Sequence, residues 1–462
     1  MAEIKHLVVL MLENRSFDQM LGWLQSPAYQ IDGVDGTQFN LDATGARVFV
    51  NKDADYSGDY TGDVNHDFLS VNQQIFGTEN PAPGAPATMS GFVQNYFGKT
   101  NDPGKSHRVM NCFDPKKVPV IATLAQQYAL CTRWFSSVPG PTLPNRAYAH
   151  AATSVGHVDM TINWWKESKT IYELLHDGHN RTAKIYYTDA TMALTFGGLI
   201  ARQSLFFIPD FDEFFDDCKS NNLPDYCFLE PRYNASNGDD PIAANDQHPD
   251  NDVSEGEALI KDVYNAVRSN ADTWESTLLV IVYDEHGGLF DHIAPPAAVS
   301  PDSINTSPPN PAFDFTRLGV RVPAVLVSPY IAAGTIVTDT FDHSSLITTA
   351  RKLFIGDGWE DDFLTQRDKA ASTFDGALTL ANPRPANEVD VSGKHDAVVA
   401  GRAMSVADRA AAQAAMPLSD HQQALAQIML SAGAANMTQA QASALHTVVR
   451  SVVHPAVRRA GQ

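Results

Sequence analysis

Two short polar runs in this sequence follow apolar segments, and both are rich in oxygen ligands. The apolar run 4–12 leads into Glu13-Asn14, and the apolar run 278–283 leads into Asp284-Glu285. If both runs are parallel strands, their carboxyl ends meet at the edge of the sheet where α/β proteins bind ligands. Three carboxylates and one amide oxygen would then converge at that edge.

Such a group of carboxylates stays ionised only where a cation neutralises the mutual repulsion. Carboxylate and amide oxygens favour magnesium, manganese or calcium over the thiolate type of zinc site. Gly287-Gly288 supports a metal site, because glycines let the backbone turn sharply and leave the preceding side chains in a cleft. For either half taken alone, a polar pair that merely starts a loop is the alternative.

Thr142 stands between Pro141 and Pro144, just before Asn145-Arg146. The prolines stiffen a turn, and the helix expected to begin at Asn145-Arg146 would offer backbone amides to a phosphate. On the residues alone, a helix N-cap is the better interpretation of Thr142, since threonine is common at that position. Arg146 has two interpretations, a clamp on a phosphate oxygen or a brace that holds the loop through a salt bridge.

Several motifs in register resemble those of one family. The stretch 13–18 (ENRSFD), followed by Leu21-Gly22, resembles the opening signature of the bacterial phosphoesterase family of phosphatidylcholine-hydrolysing phospholipases C and acid phosphatases. Three further stretches match in order: 140–146 (GPTLPNR), 248–249 with 256–257, and 284–292 (DEHGGLFDH). The resemblance spans roughly residues 4–355 and does not identify the tail beyond about 385.

The resemblance implies a fold like that of alkaline phosphatase, with a central sheet flanked by helices and the active site at the carboxyl ends of the strands. It also implies that Glu13, Asn14, Asp284 and Glu285 hold one or more divalent metals (magnesium, manganese, calcium or zinc). Thr142 would then be the nucleophile and bind the metal through its oxygen. A metal makes chemical sense there, since it lowers the pKa of a hydroxyl and aligns its oxygen for attack.

Histidines supply further expected roles. His66 and His248 resemble family positions near the phosphate, where an imidazole donates a hydrogen bond or protonates a leaving alkoxide. Gln247 stands where many relatives are expected to carry a second histidine, which leaves the general acid open. His343 either faces the site or is a cap or structural residue.

The remaining histidines are assigned by position. His286 and His292 flank the Gly-Gly turn and are expected to support the metal ligands. The histidines near the C-terminus are expected at the surface.

The substrate has competing interpretations. The family's phospholipases tend to carry threonine as nucleophile and its phosphatases serine, so Thr142 favours a phospholipase C that releases phosphocholine over an acid phosphatase acting on monoesters. A non-catalytic binding protein on the same fold is the alternative of another class, and sulfate ester cleavage lacks an apparent Cys or Ser nucleophile. The aromatic pairs 164–165 and 186–187 either cage a quaternary ammonium or belong to the core. The pairs 206–207 and 214–215 either form an acyl lip or simply pack.

The elements expected to position these residues alternate between strands and helices, which indicates an α/β domain with a mostly parallel sheet. Strands are predicted at 4–12, 184–187, 204–208, 278–283 and 323–328. Helices are predicted at 118–130, 345–354, 405–416, 419–432 and 438–453, and a further one opens with a capping box at Ser254–Glu257 and runs to Val267.

Two regions depart from this alternation. Residues 35–110 are rich in Gly, Asn, Asp and Pro, and are expected to form a long, loop-rich insertion over one end of the sheet. After about residue 385 the composition shifts to Ala and Gln. The predicted organisation is a catalytic domain at 1–384 and a small helical C-terminal appendage at 385–462, whose Ala-rich faces suit packing rather than chemistry.

Composition limits the partners. The formal net charge of −21 and the lack of a Lys/Arg-rich block argue against nucleic acid and against a general attraction to anionic membranes. The expected partner is therefore a phospholipid or small phosphoester, with transient contact at a membrane surface. The start of the chain lacks the pattern of a signal peptide, which predicts a cytoplasmic location unless a signal was trimmed or another export route is used. Cys218 and Cys227 either form a local disulfide or stay reduced.

Overall fold

A mixed β-sheet forms the centre of the computed structural model, which describes residues 3–58, 60, 63–162, 165, 167–236, 241–307, 311–400, 405–416 and 418–432. The strands are β1 (His6–Leu12), β2 (Phe39–Leu41), β3 (Arg47–Phe49), β4 (Ala129–Cys131), β5 (Ala183–Tyr186), β6 (Phe207–Ile208), β7 (Tyr226–Leu229), β8 (Thr277–Tyr283), β9 (Ala324–Val327) and β10 (Thr335–Val337).

Within those residues the main sheet has eight strands in the order β10-β4-β9-β8-β1-β7-β5-β6. Strand β9 runs antiparallel to both of its neighbours, whereas every other adjacent pair is parallel. The predicted mostly parallel sheet is therefore confirmed.

Helices flank this sheet. They are α1 (Phe17–Leu21), α2 (Phe68–Phe76), α3 (Phe92–Thr100), α4 (Pro103–Ser106), α5 (Pro119–Gln127), α6 (Thr142–Ala151), α7 (Ile171–Glu173), α8 (Gly197–Ile200), α9 (Gln203–Phe206), α10 (Asp212–Ser220), α11 (Val253–Val267), α12 (Ala271–Ser276), α13 (Ser344–Phe354), α14 (Gln366–Ala370), α15 (Ser392–Ala400), α16 (Val406–Ala414) and α17 (Asp420–Ala432). No helix in the described part of the chain is both long and apolar enough to cross a membrane.

Strands β1 and β8 lie side by side at the centre of the sheet, and both are almost wholly buried. Their near-continuous apolar sequences suit strands that are covered on both faces by helices. The parallel register pairs Leu12 with Tyr283. The two polar runs that follow these residues therefore leave the sheet at the same level and on the same edge.

Three local predictions were wrong. Residues 203–206 form α9 and only Phe207–Ile208 is a strand, so apolar content alone misassigned this short run. The helix predicted at 118–130 ends at Gln127, and β4 follows it. Helix α11 begins after Asp252, whose side chain accepts from the Ser254 amide, so no capping box starts at Ser254.

The insertion at 35–110 contains more regular structure than its composition indicates. It holds the antiparallel pair β2-β3 and the helices α2, α3 and α4. It also builds a separate hydrophobic cluster that includes Val71, Phe92 and Tyr96 and that packs on Leu289-Phe290, beyond β8. The insertion is thereby fixed against the loop that carries the predicted site.

The predicted C-terminal helices at 405–416 and 419–432 correspond to α16 and α17, whereas the one predicted at 438–453 lies outside the described residues. Leu425 and Ile428 of α17 are buried in the main hydrophobic cluster. The four cysteines are buried free thiols, so Cys218 and Cys227 form no disulfide in this structure.

Candidate active site

The hydroxyl of Thr142 lies at the entrance of α6 and is fully buried. Thr142 is the first residue of the helix and Pro141 occupies the N-cap position without a side-chain hydrogen bond. Thr142 is therefore not the N-cap. Its Oγ1 instead donates a hydrogen bond of 3.3 Å to Oδ1 of Asn14.

The turn before Thr142 is fixed by the side chain of Asn145. Its nitrogen, Nδ2, donates to the backbone carbonyl oxygens of Val138, Gly140 and Pro141 at 2.9–3.2 Å. The side-chain oxygen of Asn145, Oδ1, accepts a hydrogen bond from the backbone amide of Val138 at 3.0 Å. A single buried side chain thus satisfies a whole turn of backbone, which holds the Thr142 hydroxyl in place.

The two polar runs meet as the strand register requires. The backbone amide of Asn14 donates to Oδ1 of Asp284 at 3.0 Å, and the amide of Glu285 donates to the same oxygen at 2.7 Å. Glu13, Asn14, Asp284 and Glu285 are all buried. The side chains predicted from the ends of β1 and β8 therefore lie in one region.

Glycine is required at the turn that follows Glu285. Gly287 has a φ of +63°, and a Cβ atom there would lie 2.1 Å from the carbonyl oxygen of Asn14. At Gly288, with a φ of +68°, a Cβ would lie 2.5 Å from the carbonyl oxygen of Asn65 in the insertion. The Gly-Gly pair thus allows the loop after β8 to approach two other backbone segments.

Arg146 braces the site. Its guanidinium donates to Glu230 at 2.6 Å and to Asp284 at 3.0 Å, and lies 3.1 Å from Glu13. All four side chains are buried, so the guanidinium faces carboxylates and not an open cavity. Of the two predicted roles for Arg146, the structure shows the salt-bridge brace. The clamp of Arg146 on a phosphate oxygen stays a prediction.

One guanidinium against three buried carboxylates leaves an excess of negative charge. Burial and the nearby Asp284 carboxylate raise the pKa of Glu13 well above its usual value, although Arg146 acts in the opposite direction. Buried oxygens of Glu13 and Glu285 have no hydrogen-bond partner among the described residues. These are the conditions under which a cation is favourable, so the residues fit a divalent metal.

The predicted carboxylates do not form one tight group among the described residues. One oxygen of Glu285 accepts from the Gly287 amide at 2.7 Å and lies 3.3 Å from His286, while the other lies 3.9 Å from His66. Within the described residues, the groups with three His or carboxylate ligand atoms within 4.8 Å of one another are Asp18/Asp291/His292 and Asp63/His248/Asp250. The four predicted metal ligands are thus neighbours without forming a compact cage.

His66 and His248 lie together, with their ring centres 6.5 Å apart. His66 Nδ1 donates to the Val64 carbonyl oxygen at 2.7 Å, so its Nε2 faces Glu285. Burial lowers the pKa of His66, but the carboxylates of Glu285 and Asp63 outweigh it and the pKa is raised. For His248, burial is outweighed chiefly by Asp63, 3.5 Å away, which raises the pKa to about 10.

His343 does not face the site. Its Nε2 donates to the backbone carbonyl oxygen of Asp284 at 2.5 Å, and its Nδ1 accepts from the Trp134 indole at 3.3 Å. Both ring nitrogens are occupied in this arrangement, which favours the structural interpretation of His343, and its direct catalytic role stays a prediction. It contributes by fixing the backbone of a predicted metal ligand.

Gln247 also turns away. Its amide nitrogen donates to the Val253 carbonyl oxygen at 2.8 Å and its amide oxygen accepts from Tyr283. A Cβ on Gly256 would lie 2.1 Å from the Gln247 side chain, so the two residues are packed closely. Gln247 therefore supports the backbone at the start of α11.

The two histidines that flank the Gly-Gly turn differ. His286 contacts Glu285 and bonds to Gln74 at 2.7 Å, which ties the loop to α2. His292 instead bonds to Asp18 at 2.5 Å, in a separate buried network with Asp291 and Arg321. His286 is therefore in contact with a predicted metal ligand, whereas His292 braces a different part of the fold.

A cavity of about 560 Å³ opens beside this region. Pro141, His66, Asp63 and Asp250 line it, which connects it to the turn that carries Thr142. The described members of the aromatic pairs predicted for a cage or an acyl lip are not among the residues that line it. Trp164 lies outside the described residues. The described members of these pairs pack in or against the main hydrophobic cluster: Trp165, Tyr186, Tyr187, Phe206, Phe207, Phe214 and Phe215.

The sequence did not predict His421 or Glu230 as part of this region. His421 of α17 is buried, in contrast to the surface location expected for C-terminal histidines, and its Nδ1 lies 2.5 Å from Oε1 of Glu13. Glu230 follows the buried strand β7, next to β1 in the sheet. The strand-end argument used for Glu13 and Asp284 applies to Glu230 too, whereas no pattern around His421 indicates chemistry.

Comparison with known proteins gives the family of this chain. Residues 4–355 match the model of the phosphoesterase family. The chain belongs to the phosphoesterase family. Non-specific phospholipase C6 of Arabidopsis thaliana is 39% identical over 398 residues, which cover 82% of this chain and 73% of the relative.

A more distant relative is bacterial. Phospholipase C A of Mycobacterium tuberculosis is 26% identical over 409 residues, which cover 77% of this chain and 73% of the relative. Among solved structures, an alkaline phosphatase superfamily protein from Vibrio parahaemolyticus matches 51% of this chain and 60% of its own, with 13% identity and a TM-score of 0.33. The chain is a phosphoric ester hydrolase, and its fold is α/β with a mostly parallel sheet flanked by helices.

Proposed function

We propose that this phosphoesterase is a metal-dependent phospholipase C that hydrolyses phosphatidylcholine to diacylglycerol and phosphocholine. The observation that carries the proposal is the Thr142 hydroxyl, held at a helix entrance 3.3 Å from Asn14 and next to the cavity-lining Pro141. The names of the plant and mycobacterial relatives support the lipid substrate.

Thr142 acts as the nucleophile in this mechanism. Its hydroxyl gives up its proton to water as the oxygen attacks the phosphorus atom. The ester bond to diacylglycerol breaks, the departing alkoxide takes up a proton, and a phosphothreonine that still carries the choline forms. Water then cleaves the phosphothreonine, which frees phosphocholine and restores the hydroxyl. The amides at the start of α6 are placed to stabilise phosphate charge, because the N-terminus of a helix favours anions.

Glu13, Asn14, Asp284, Glu285 and Thr142 would hold the divalent metal, whether magnesium, manganese, calcium or zinc. When bound, such an ion neutralises charge on the phosphate oxygens and lowers the pKa of an attacking hydroxyl. The excess negative charge beside Arg146 supports this assignment. Arg146 keeps Glu13 and Asp284 in place.

His248 supplies a proton. Its pKa of about 10 keeps the imidazole cationic at neutral pH, and its Nε2 lies 3.5 Å from the Asp63 carboxylate. An N–H in that state can donate to a phosphate oxygen or to the departing alkoxide. His66, whose pKa is also raised, offers a second donor from the insertion.

The charge around the cavity supports a headgroup that carries a cation. Five aspartates and a single lysine are among its lining residues: Asp63, Asp67, Asp159, Asp250, Asp420 and Lys99. Carboxylates at a site attract an ammonium group and repel an anionic headgroup. Contact with the membrane would then be transient, since the net charge of −21 disfavours anionic lipid surfaces.

The test compares phosphocholine release from phosphatidylcholine with phosphate release from an aryl phosphate monoester, each with and without a chelator. We expect chelator-sensitive phosphocholine release and little monoester turnover. Preferential monoester turnover would make the protein an acid phosphatase, and no turnover of either ester would favour a binding protein on the same fold.

Thr142→Ala tests the nucleophile. We expect a loss of at least about a thousand-fold in kcat, since removal of a catalytic nucleophile has effects of that size or larger. Thr277→Ala is the control, because its hydroxyl is also buried but lies at the opposite end of β8. Full activity in Thr142→Ala would refute the mechanism while leaving the fold assignment intact.

A further inference from the structure

The C-terminal appendage reaches the predicted catalytic centre through His421, in the first turn of α17. The Nδ1 atom of His421 lies 2.5 Å from Oε1 of Glu13. The imidazole is 3% exposed, and neither ring nitrogen has another hydrogen-bond partner among the described residues. A buried polar group without partners is uncommon and calls for a physical reason.

The position of His421 is set by the packing of α16 and α17. Arg409 of α16 lies 2.5 Å from Glu255 of α11, so an ion pair anchors the first of these helices. Gln422 donates to the Tyr233 carbonyl oxygen at 2.6 Å, and Leu425 is buried in the main core. Because both helices are anchored on the catalytic part of the fold, the contact between His421 and Glu13 is a built feature.

Tyr233 holds the imidazole from the other side. The two rings meet edge to face, with their centres 4.9 Å apart. The Tyr233 hydroxyl donates to Glu230 at 2.5 Å, and Glu230 is also a partner of Arg146. His421 therefore belongs to the same buried network of side chains that surrounds Glu13.

Glu13 depends on such contacts for its orientation. Its oxygen Oε1 lies near Arg146 at 3.1 Å and near His421 at 2.5 Å, and neither contact has full hydrogen-bond geometry. Residues that orient a metal ligand commonly matter nearly as much as the ligand, because they fix its rotamer and its basicity.

We propose that His421 is a positioning residue of the catalytic centre, supplied by the C-terminal appendage, and that its imidazole holds the Glu13 carboxylate in the orientation that binds the divalent cation. This inference rests on the proposed function only in taking Glu13 as a cation ligand. The appendage is thus part of the active site. Met416, Leu418 and Ser419, just before α17, line the cavity beside Thr142 and agree with that role.

The experiment compares His421→Ala and His421→Asn with the wild type and with His395→Ala. His395 is a matched control, because it is a buried histidine of the same appendage that bonds to the Ser254 carbonyl oxygen instead of the site. The affinity for Mn²⁺ alone and for Ca²⁺ alone is measured by calorimetry on the full chain without substrate. Thermal unfolding of the metal-free proteins and kcat and KM for a short-chain phosphatidylcholine complete the set.

We expect His421→Ala to weaken cation affinity by about 10–100-fold, the usual effect of losing a residue that orients a ligand. Its kcat should fall while KM changes little, and His395→Ala should match the wild type in both. His421→Asn should recover only part of the cation affinity and lie between His421→Ala and His395→Ala, because its amide is a polar contact but is shorter than the imidazole. If His421→Ala does not fold, the asparagine variant alone decides, by weaker cation affinity than in His395→Ala at equal thermal stability.

Unchanged cation affinity in His421→Ala would overturn the inference, and so would equal losses in His421→Ala and His395→Ala. A wild type that binds neither ion would overturn it as well. These outcomes are separate from those of the proposed function. Phosphatidylcholine hydrolysis with no effect at His421 refutes only the inference, whereas a cation-affinity loss without phosphatidylcholine hydrolysis refutes only the substrate.

Discussion

The backbone amide of Asn14 donates a 3.0 Å hydrogen bond to the side chain of Asp284, a residue 270 positions away in the chain. Asn14 has a φ of +56°, a conformation that non-glycine residues seldom adopt. The hydrogen bond offsets that cost and joins the ends of β1 and β8. The backbone of one predicted metal ligand thereby orients the carboxylate of another.

Gly287→Ala is expected to break this relationship. A Cβ at Gly287 would lie 2.1 Å from the carbonyl oxygen of Asn14, and the φ of +63° is itself unfavourable for alanine. We predict a loss of about 1–3 kcal/mol in the free energy of unfolding, the usual range for forced overpacking. Urea denaturation measures this loss, and phosphocholine release should fall with it.

Gly98→Ala is the matched control for that substitution. Gly98 lies within α3, and an added Cβ would meet no atom within 4 Å. Alanine is the better helix former, so this variant should gain up to about 1 kcal/mol. Equal urea midpoints and equal activity in the two variants would contradict the role assigned to the turn.

Much of the site could be predicted from strand ends. Glu13-Asn14 and Asp284-Glu285 follow long, almost wholly apolar runs, so both the strands and the shared edge were visible in the sequence. Glu230 was missed because β7, the strand that precedes it, was not recognised in the sequence. The role of Arg146 as a brace depends on Glu230, so the missing strand also left that role open.

Other features could not be predicted because they depend on tertiary packing. His421 lies in an Ala- and Gln-rich segment, and only the docking of α17 brings it to Glu13. His343 appeared equally suited to the site or to a structural role, and the choice depends on the Trp134 indole and the Asp284 carbonyl. The insertion was predicted to be loop-rich because its helices are short and the segments between them are rich in Gly, Asn, Asp and Pro.

Arg146→Gln is predicted to lower the free energy of unfolding by about 3–5 kcal/mol, because it removes the cation from a buried ion-pair group. Glu13, Glu230 and Asp284 would remain as three buried carboxylates without the guanidinium. Saturating Mn²⁺ or Ca²⁺ should reduce the loss if a cation binds beside them. Urea denaturation with and without the ion measures both effects.

Arg202→Gln serves as the comparison for Arg146. The Arg202 side chain is 33% exposed and pairs with Asp177 and Glu173 near the surface. Exposed pairs contribute up to about 1 kcal/mol, so this variant should lose little and should not respond to the cation. Similar losses in the two variants would show that the Arg146 group is not a special buried network.

His248→Gln tests the pH dependence of stability. The folded-state pKa of His248, about 10, lies above its unfolded value of 6.5. Its contribution to stability is therefore complete below pH 6.5 and is lost as pH rises toward 10, at up to about 1.4 kcal/mol per pH unit. The variant should be less stable than the wild type at pH 6, and the difference should shrink steadily toward pH 10.

Urea denaturation at pH 6, 8 and 10 measures that difference. His176→Gln is the control, because the His176 side chain is 40% exposed and contacts a surface aspartate. The difference in the free energy of unfolding between His176→Gln and the wild type should stay constant from pH 6 to pH 10. A constant gap between His248→Gln and the wild type would mean that the His248 charge is not held by Asp63.

Asp159→Asn tests whether charge at the cavity selects the headgroup. Asp159 lines the cavity together with four other aspartates, so its removal should weaken attraction to choline and repulsion of phosphatidylglycerol. A single charge about 4 Å from another is worth ~1 kcal/mol in water, or about fivefold in rate. We predict that the ratio of kcat/KM for phosphatidylcholine to that for phosphatidylglycerol falls by about that factor.

The comparison uses mixed micelles of one uncharged detergent, so that the surface charge of the particle stays constant between lipids. Asp361→Asn is the control, since Asp361 is exposed and is not among the residues that line the cavity. The effect in Asp159→Asn should weaken at high salt, because salt screens interactions between exposed charges. An unchanged ratio at low salt would mean that headgroup choice comes from the shape of the cavity and not from its charge.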